Sequence, residues 1–179
     1  SSAVASWRDR RLKQVGGAGV TVATLAANHQ FEGVVDRITR LGNLLDCADR
    51  AHQLNNKLKG EWQSVRQSVL ASKAAPPRVL FVLSMSPSQL MVGGRGSSAE
   101  AMIEYAGARN AITGMDGFKP LTTEAVIAAQ PDVVLFTDQG LEAMGGVNAA
   151  MKIPGLQQTP AGRQRRIVSM ETMFLLGFG

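Results

Sequence analysis

Arg78-Val-Leu-Phe-Val-Leu-Ser84 and, further along, Asp132-Val-Val-Leu-Phe-Thr137 decide the fold. Each is an unbroken apolar run of strand length, preceded by Pro76-Pro77 in one case and Pro131 in the other. Runs this short, with no polar alternation, read as strands buried on both faces. Strands of that kind belong to a parallel sheet covered by helices, so the spacing predicts an α/β lobe of Rossmann-like type.

The intervening sequence supplies the helices. After a loop over residues 85–96, a helix over residues 97–106 is expected, with Ser97 as cap and Glu100 three residues on, as a capping box requires. A short strand follows at residues 110–112. Thr122 or Thr123 then caps a helix that Pro131 ends, helical turns follow at residues 140–144 and 147–151, and a last strand is predicted at residues 166–169. Backwards from Pro76-Pro77, residues 46–75 hold no Pro and only Gly60, with Ala48, Ala51, Leu54, Leu58, Trp62, Val65, Val69 and Leu70 set among polar residues. That pattern predicts a helix of up to about seven turns with one buried stripe. Residues 31–45 show a second helical face (Val34, Val35, Ile38, Leu41), residues 20–25 read as a strand, and residues 7–15 as a short helix. A single strand cannot bury itself. The chain therefore divides into a remnant of a first lobe (residues 1–45), a long linking helix (46–75) and an α/β lobe (76–179).

Composition narrows the function. The 179 residues carry a formal charge of +5, but the basic residues are scattered apart from residues 8–13 and 163–166, and the six Phe, two Trp and one Tyr stand outside those clusters. A nucleic-acid surface concentrates charge beside stacking aromatics, so none is expected. No apolar run reaches the roughly 20 residues of a membrane span. The single Cys47 excludes an internal disulfide, and His29 and His52 have no metal-binding spacing. No acid, base, nucleophile or metal set emerges, which favours binding over catalysis.

In a sheet of this type ligands sit beyond the carboxyl ends of the strands, here the segments 84–95, 114–120 and 137–146. Gly93-Gly94-Arg95-Gly96-Ser97-Ser98 partly resembles a phosphate loop, but lacks both the Gly-Lys-Ser/Thr ending and the full dinucleotide order. It reads either as a turn with a helix cap or as a cleft wall whose Arg95 faces a carboxylate. Phe118 and Lys119 occupy the second segment, where Phe118 is either a plug for its own loop or a ligand contact. Glu124 opens a helix, where the dipole favours a carboxylate.

Taken in order, Met91-Val-Gly-Gly-Arg95, Ser98-Ala-Glu-Ala-Met-Ile103, Ala108-Arg-Asn-Ala111, Gly117-Phe-Lys-Pro-Leu-Thr-Thr-Glu124, Pro131-Asp-Val-Val-Leu135, Gly140-Leu-Glu-Ala-Met-Gly-Gly146, Pro154-Gly-Leu156 and Thr159-Pro-Ala-Gly162 resemble the C-terminal lobe of bacterial periplasmic haem-binding proteins. These are the soluble components of ATP-binding cassette (ABC) haem transporters. The resemblance implies part of a two-lobed class III binding protein that is periplasmic and non-catalytic, with haem as cargo and an ABC permease as partner. It implies a haem cleft built on Ser84, Met85, Ser86, Met91, Arg95, Phe118 and Lys119, with apolar groups against the porphyrin and basic groups near its propionates. The family's axial tyrosine comes from the first lobe, so no metal ligand is assigned in this chain, and haem is expected to be weakly bound or absent without that lobe. Glu124 matches the position at which a carboxylate pairs with permease arginines. The same architecture accepts cobalamin or a ferric siderophore, and a small enzyme using residues 94–98 for a phosphorylated substrate is a further alternative.

Overall fold

The computed structural model describes residues 15, 17, 19, 22–25, 28–86 and 89–176. Two helices come first, α1 (Phe31–Leu44) and the long α2 (Ala48–Ala71). They approach closely because Gly42 has no side chain: a Cβ there would lie 2.4 Å from that of Ala51. Buried Asn55 fixes the pair by donating from Nδ2 to the Val35 carbonyl (3.2 Å) and to Thr39 Oγ1 (2.9 Å).

The lobe follows as β1 (Arg78–Ser86), β2 (Gln89–Gly93), α3 (Ser98–Tyr105), β3 (Arg109–Asn110), β4 (Phe118–Pro120), α4 (Thr123–Ala129), β5 (Val133–Thr137), α5 (Asp138–Met144), α6 (Val147–Ala150), a 3-10 turn (Leu156–Gln158), α7 (Pro160–Arg163), β6 (Ile167–Met170) and α8 (Thr172–Leu176). The strand order is β4-β2-β1-β5-β6, with β3 paired to the start of β1. Alternation along β1 builds a core on each face. Leu80 and Val82 join Val134, Phe136, Val126 and Leu156 on one side, and Val79 and Phe81 join Ala99, Ile103 and Leu175 on the other. A fully buried phenylalanine such as Phe81 is worth about 3–5 kcal/mol against alanine.

The strands β1, β3, β5 and β6 run parallel, as expected, but the sheet is not parallel throughout. Residues 85–96 are not one loop, since β2 turns back antiparallel to β1 and β4 lies antiparallel to β2. The reason is the outer edge of β1, whose amide groups would otherwise be unpaired. Residues 22–25 are not in a strand, since a strand exists only by pairing and none runs beside them among the described residues. The expected helix over residues 7–15 lies almost wholly outside the described residues.

The long helix has the expected length of about seven turns, in narrower bounds than residues 46–75, and ends at Ala71. Its stripe is only partly covered: Ala51 is buried, whereas Leu54, Val65 and Leu70 are exposed. No helix among the described residues is long and apolar enough to cross a membrane. At the far end α8 folds its apolar side onto Val79 and Phe81, which buries Leu175 and leaves Met173 and Phe174 exposed. Phe178 lies outside the described residues.

Candidate functional site

The predicted cleft residues lie on β1, β2 and β4. Gly93 pairs with Phe118, Val92 with Lys119 and Met91 with both Leu83 and Pro120, so Met91 and Phe118 occupy adjacent strands. Phe118 is half-buried and meets Phe81 edge-on, with centroids 6.1 Å apart at 73°. The ring reaches Phe81 across Gly93, where a Cβ would stand 3.2 Å from the Phe81 ring. Phe118 is thus both a plug for the core and a partly open apolar surface, continuous with half-buried Leu83 and Met91. Lys119 is exposed on an edge strand, where a lysine discourages further strand pairing.

The Arg95 loop is knitted to the segment before β4. The Gly94 N–H donates to the Gly117 carbonyl (2.7 Å), Arg95 N–H to Met115 (2.8 Å), and Gly117 N–H to Arg95 (2.8 Å). Arg95 faces a carboxylate, that of Asp116 in this same chain, with Nε 3.0 Å from Oδ1 and both side chains largely exposed. An exposed pair of this kind is worth at most about 1 kcal/mol. Nothing in the sequence reading marked Asp116, because its role depends on β2 and β4 lying side by side. Asn110 was likewise missed. It is buried, donates from Nδ2 to the Gly93 carbonyl (2.9 Å) and accepts from the Ile112 N–H (3.1 Å), which pins the end of β2 just past its last pair with β1.

Ser97 caps α3 as predicted, its Oγ accepting from the Glu100 N–H (3.1 Å) while its hydroxyl donates to the Gly94 carbonyl (2.7 Å). Glu100 reaches back one residue further than a standard capping box, accepting from the Gly96 N–H at 2.7 Å. The amides of Gly94, Arg95 and Gly96 are therefore all committed internally, and a carboxylate stands where a phosphate would sit. That occupancy counts against the phosphate-loop alternative at residues 94–96.

The three predicted segments do not share one end of the sheet. Ser84 is buried at the carboxyl end of β1, packed close to Gly140 at the start of α5, where the chain also turns from Ser86 into Gln89. The backbones of Met85 and Ser86 continue β1, while their side chains lie outside the described residues. Arg95 and Asp116 lie at the other end of β2, roughly 20 Å of extended chain from Gln89, because an antiparallel β2 carries them back toward the start of β1. The structure sets Met91 and Phe118 on one face of the sheet, Met91 opposite Leu83 and so next to Ser84, whereas Lys119, opposite Val92, alternates to the other face and Arg95 lies about 13 Å of extended chain from Met91. Glu124 is exposed in the first turn of α4, which Thr122 caps by accepting from the Ala125 N–H (3.1 Å).

A second cluster of aromatic groups lies at the helix junction. The Trp62 ring stacks on Phe31 (4.8 Å, 5°) and meets Tyr105 edge-on (4.5 Å, 80°), and the Arg66 guanidinium lies 5.9 Å from the Trp62 ring. The Tyr105 hydroxyl donates to the His29 carbonyl at 2.9 Å. Burial pushes the Tyr105 phenol above its ordinary pKa, with Glu32 and Glu104 acting the same way and the Phe31 N–H and Arg66 opposing them. Clefts of about 340 and 410 Å³ open on either side of Trp62. Among the described residues no group of three or more His, Cys, Asp or Glu is placed to hold a metal ion, and Cys47 is a half-buried free thiol at the start of α2.

Leu83, Met91 and Phe118 thus form an apolar strip on one face of the sheet, with the Arg95–Asp116 pair beyond the end of β2. The chain belongs to the periplasmic binding protein family, whose profile matches residues 6–172. Among solved structures, the periplasmic heme-binding protein BhuT in complex with two hemes is 50% identical with a TM-score of 0.89, covering 93% of this chain and 63% of that one. The apo periplasmic heme-binding protein RhuT from Roseiflexus sp. RS-1 is 39% identical with a TM-score of 0.87, covering 94% and 64%. An uncharacterized ABC transporter substrate-binding lipoprotein of Bacillus subtilis, YvrC, is 22% identical over 160 residues, 89% of this chain and 49% of that protein. The chain thus spans about half the length of this curated relative and less than two thirds of these solved chains.

Proposed function

We propose that this chain forms the linking helix and one lobe of a periplasmic haem-binding protein that passes haem to an ABC permease without chemical change. The observation that carries this reading is the 50% identity, across 93% of the chain, to a protein solved with two hemes. The site fits such a cargo. In this reading Leu83, Met91 and Phe118, which share one face of the sheet, are the apolar strip for one porphyrin face, and Arg95 is the cation for a propionate, since a macrocycle of this kind needs an apolar slot and charged edge contacts; Lys119, on the other face of β4, reaches a propionate only around the sheet edge. Ser84, Met85 and Ser86 contribute at the far end of β1, beyond the strip.

Tyr105 is not the axial ligand in this reading, because its hydroxyl is already committed to the His29 carbonyl. The ligand comes from the partner lobe, and the cleft is assembled only when both lobes are held at the right separation. Glu124, exposed at a helix start, is the docking carboxylate for permease arginines.

Hemin titration of the complete two-lobed protein, followed by the Soret band, tests the proposal. Saturable binding is expected, weakened roughly tenfold when Phe118→Ala and Arg95→Ala are combined, a loss of about 1.4 kcal/mol. A protein that binds no hemin, or binds it equally well with both changes, overturns the reading. A cobalamin-binding protein of Halobacterium salinarum is 22% identical over 92% of this chain, so the titration is run with cobalamin in parallel, and preference for the corrin would transfer the proposal to that ligand.

A further inference from the structure

The second half of α2 is held to the lobe along one line. Among residues 56–71 only Leu58, Trp62, Arg66 and Val69 are half-buried, and all the others are exposed. These four lie four, four and three residues apart, which sets them on one helical face. Two contacts on that line reach the lobe. Trp62 meets the Tyr105 ring, and Val69 lies over Gly107, where a Cβ would come within 2.5 Å of its Cγ1. Gly107 also takes φ +76, so the turn after α3 is shaped to let the helix pass.

Tyr105 then ties in a third piece of chain. Its hydroxyl donates to the His29 carbonyl just ahead of α1, while Phe31 at the start of α1 stacks on the same Trp62 ring. One tyrosine at the end of α3 therefore touches the long helix by its ring and the α1 entry by its oxygen. The covalent connection beside it, residues 72–76, is exposed throughout.

We propose that Tyr105 is a latch that fixes α2 and the entry to α1 against the sheet lobe, and so sets the position of this lobe relative to whatever lobe the helix carries on its other side. The second clause rests on the two-lobed reading given above; the first stands without it. Tyr105 is a positioning residue here and touches no cargo.

Two spin labels test the latch on this chain without haem. They are placed through Lys57→Cys on α2 and Glu142→Cys on α5, both exposed, in a Cys47→Ser background. The parent is expected to give a narrow distance distribution. Tyr105→Phe, which keeps the ring and removes the hydroxyl, should broaden it about twofold and lower amide protection near Phe31 roughly two- to twelvefold, the range for losing one hydrogen bond. Trp62→Leu should broaden it at least as much, with the circular dichroism of both variants unchanged. Broadening in Trp62→Leu alone assigns the hold to ring packing and overturns the role of Tyr105, as does a parent distribution already as broad as the variants'. In the complete protein, Tyr105→Phe should raise the hemin off-rate severalfold. Failure of hemin binding in the parent would count against the haem reading and leave the distance result intact.

Discussion

Replacing Gly94 by alanine places a methyl carbon 2.2 Å from the Met115 carbonyl oxygen and 3.1 Å from that of Gly117. Both obstructions are backbone, so no side-chain rotation relieves them, and the segment before β4 must move off β2. Three hydrogen bonds cross that seam, from Gly94 to Gly117, Arg95 to Met115 and Gly117 to Arg95. At a net of about 0.5–1.5 kcal/mol each, their loss comes to about 2–4 kcal/mol. For a chain of this size each kcal/mol moves Tm by about 2–4 °C, so thermal unfolding followed by circular dichroism should show a fall of roughly 4–16 °C. Gly114→Ala is the control: its Cβ meets nothing within 4 Å and its φ is not positive, and it should leave Tm within about 2 °C. A Gly94→Ala protein as stable as the parent would refute the claim that the Arg95 loop is held by close backbone contact.

Two further outcomes concern titration. Asp132 accepts from the Arg78 N–H at 2.8 Å and pairs with the Arg78 guanidinium, contacts that hold its carboxyl below the ordinary aspartate range. Its stabilising contribution is thus complete above the unfolded-state pKa and disappears as pH falls through the lower folded value; urea unfolding should show the gap between parent and Asp132→Asn closing on acidification, and a gap that widens toward acid would contradict the assignment. Tyr105 is the chain's one tyrosine, so phenolate absorbance reports it alone. Its midpoint should lie above that of a free phenol, with the corresponding stability present below the unfolded pKa and lost as pH rises through the folded one; a midpoint at or below the ordinary value would mean the hydroxyl is not buried at the junction.

Much of the lobe was legible because its strands are chemically blunt. Runs such as Val79 to Leu83 and Val133 to Phe136 are apolar at every position and admit no helical or exposed reading, and Ser97, Thr122 and Thr137 all cap helices by side-chain acceptance, two of them at predicted starts. The antiparallel β2 was not legible, since Gln-Leu-Met-Val-Gly sits between Pro87 and the glycines of the next turn and reads equally well as a loop. That omission propagated to the site: with β2 taken as loop, Arg95 was expected beside Ser84, whereas the strand carries it to the opposite end. Phe118 left two readings open in sequence, and the structure shows why, as one side of its ring rests on Phe81 while the rest remains accessible. The Trp62–Tyr105 contact joins residues far apart in the chain, and no local pattern announces such a meeting.

The sheet's wiring is that of a hub. β2, β3 and β5 are each bonded to β1 and not to one another, β4 hangs from β2, and β6 from β5. Fraying can therefore begin at either flank and remove its strands singly while the centre persists, but no opening that reaches β1 leaves any two of its three partners joined. Breathing motions in this lobe are peripheral by construction, and the first event to disturb the middle strand is also global unfolding.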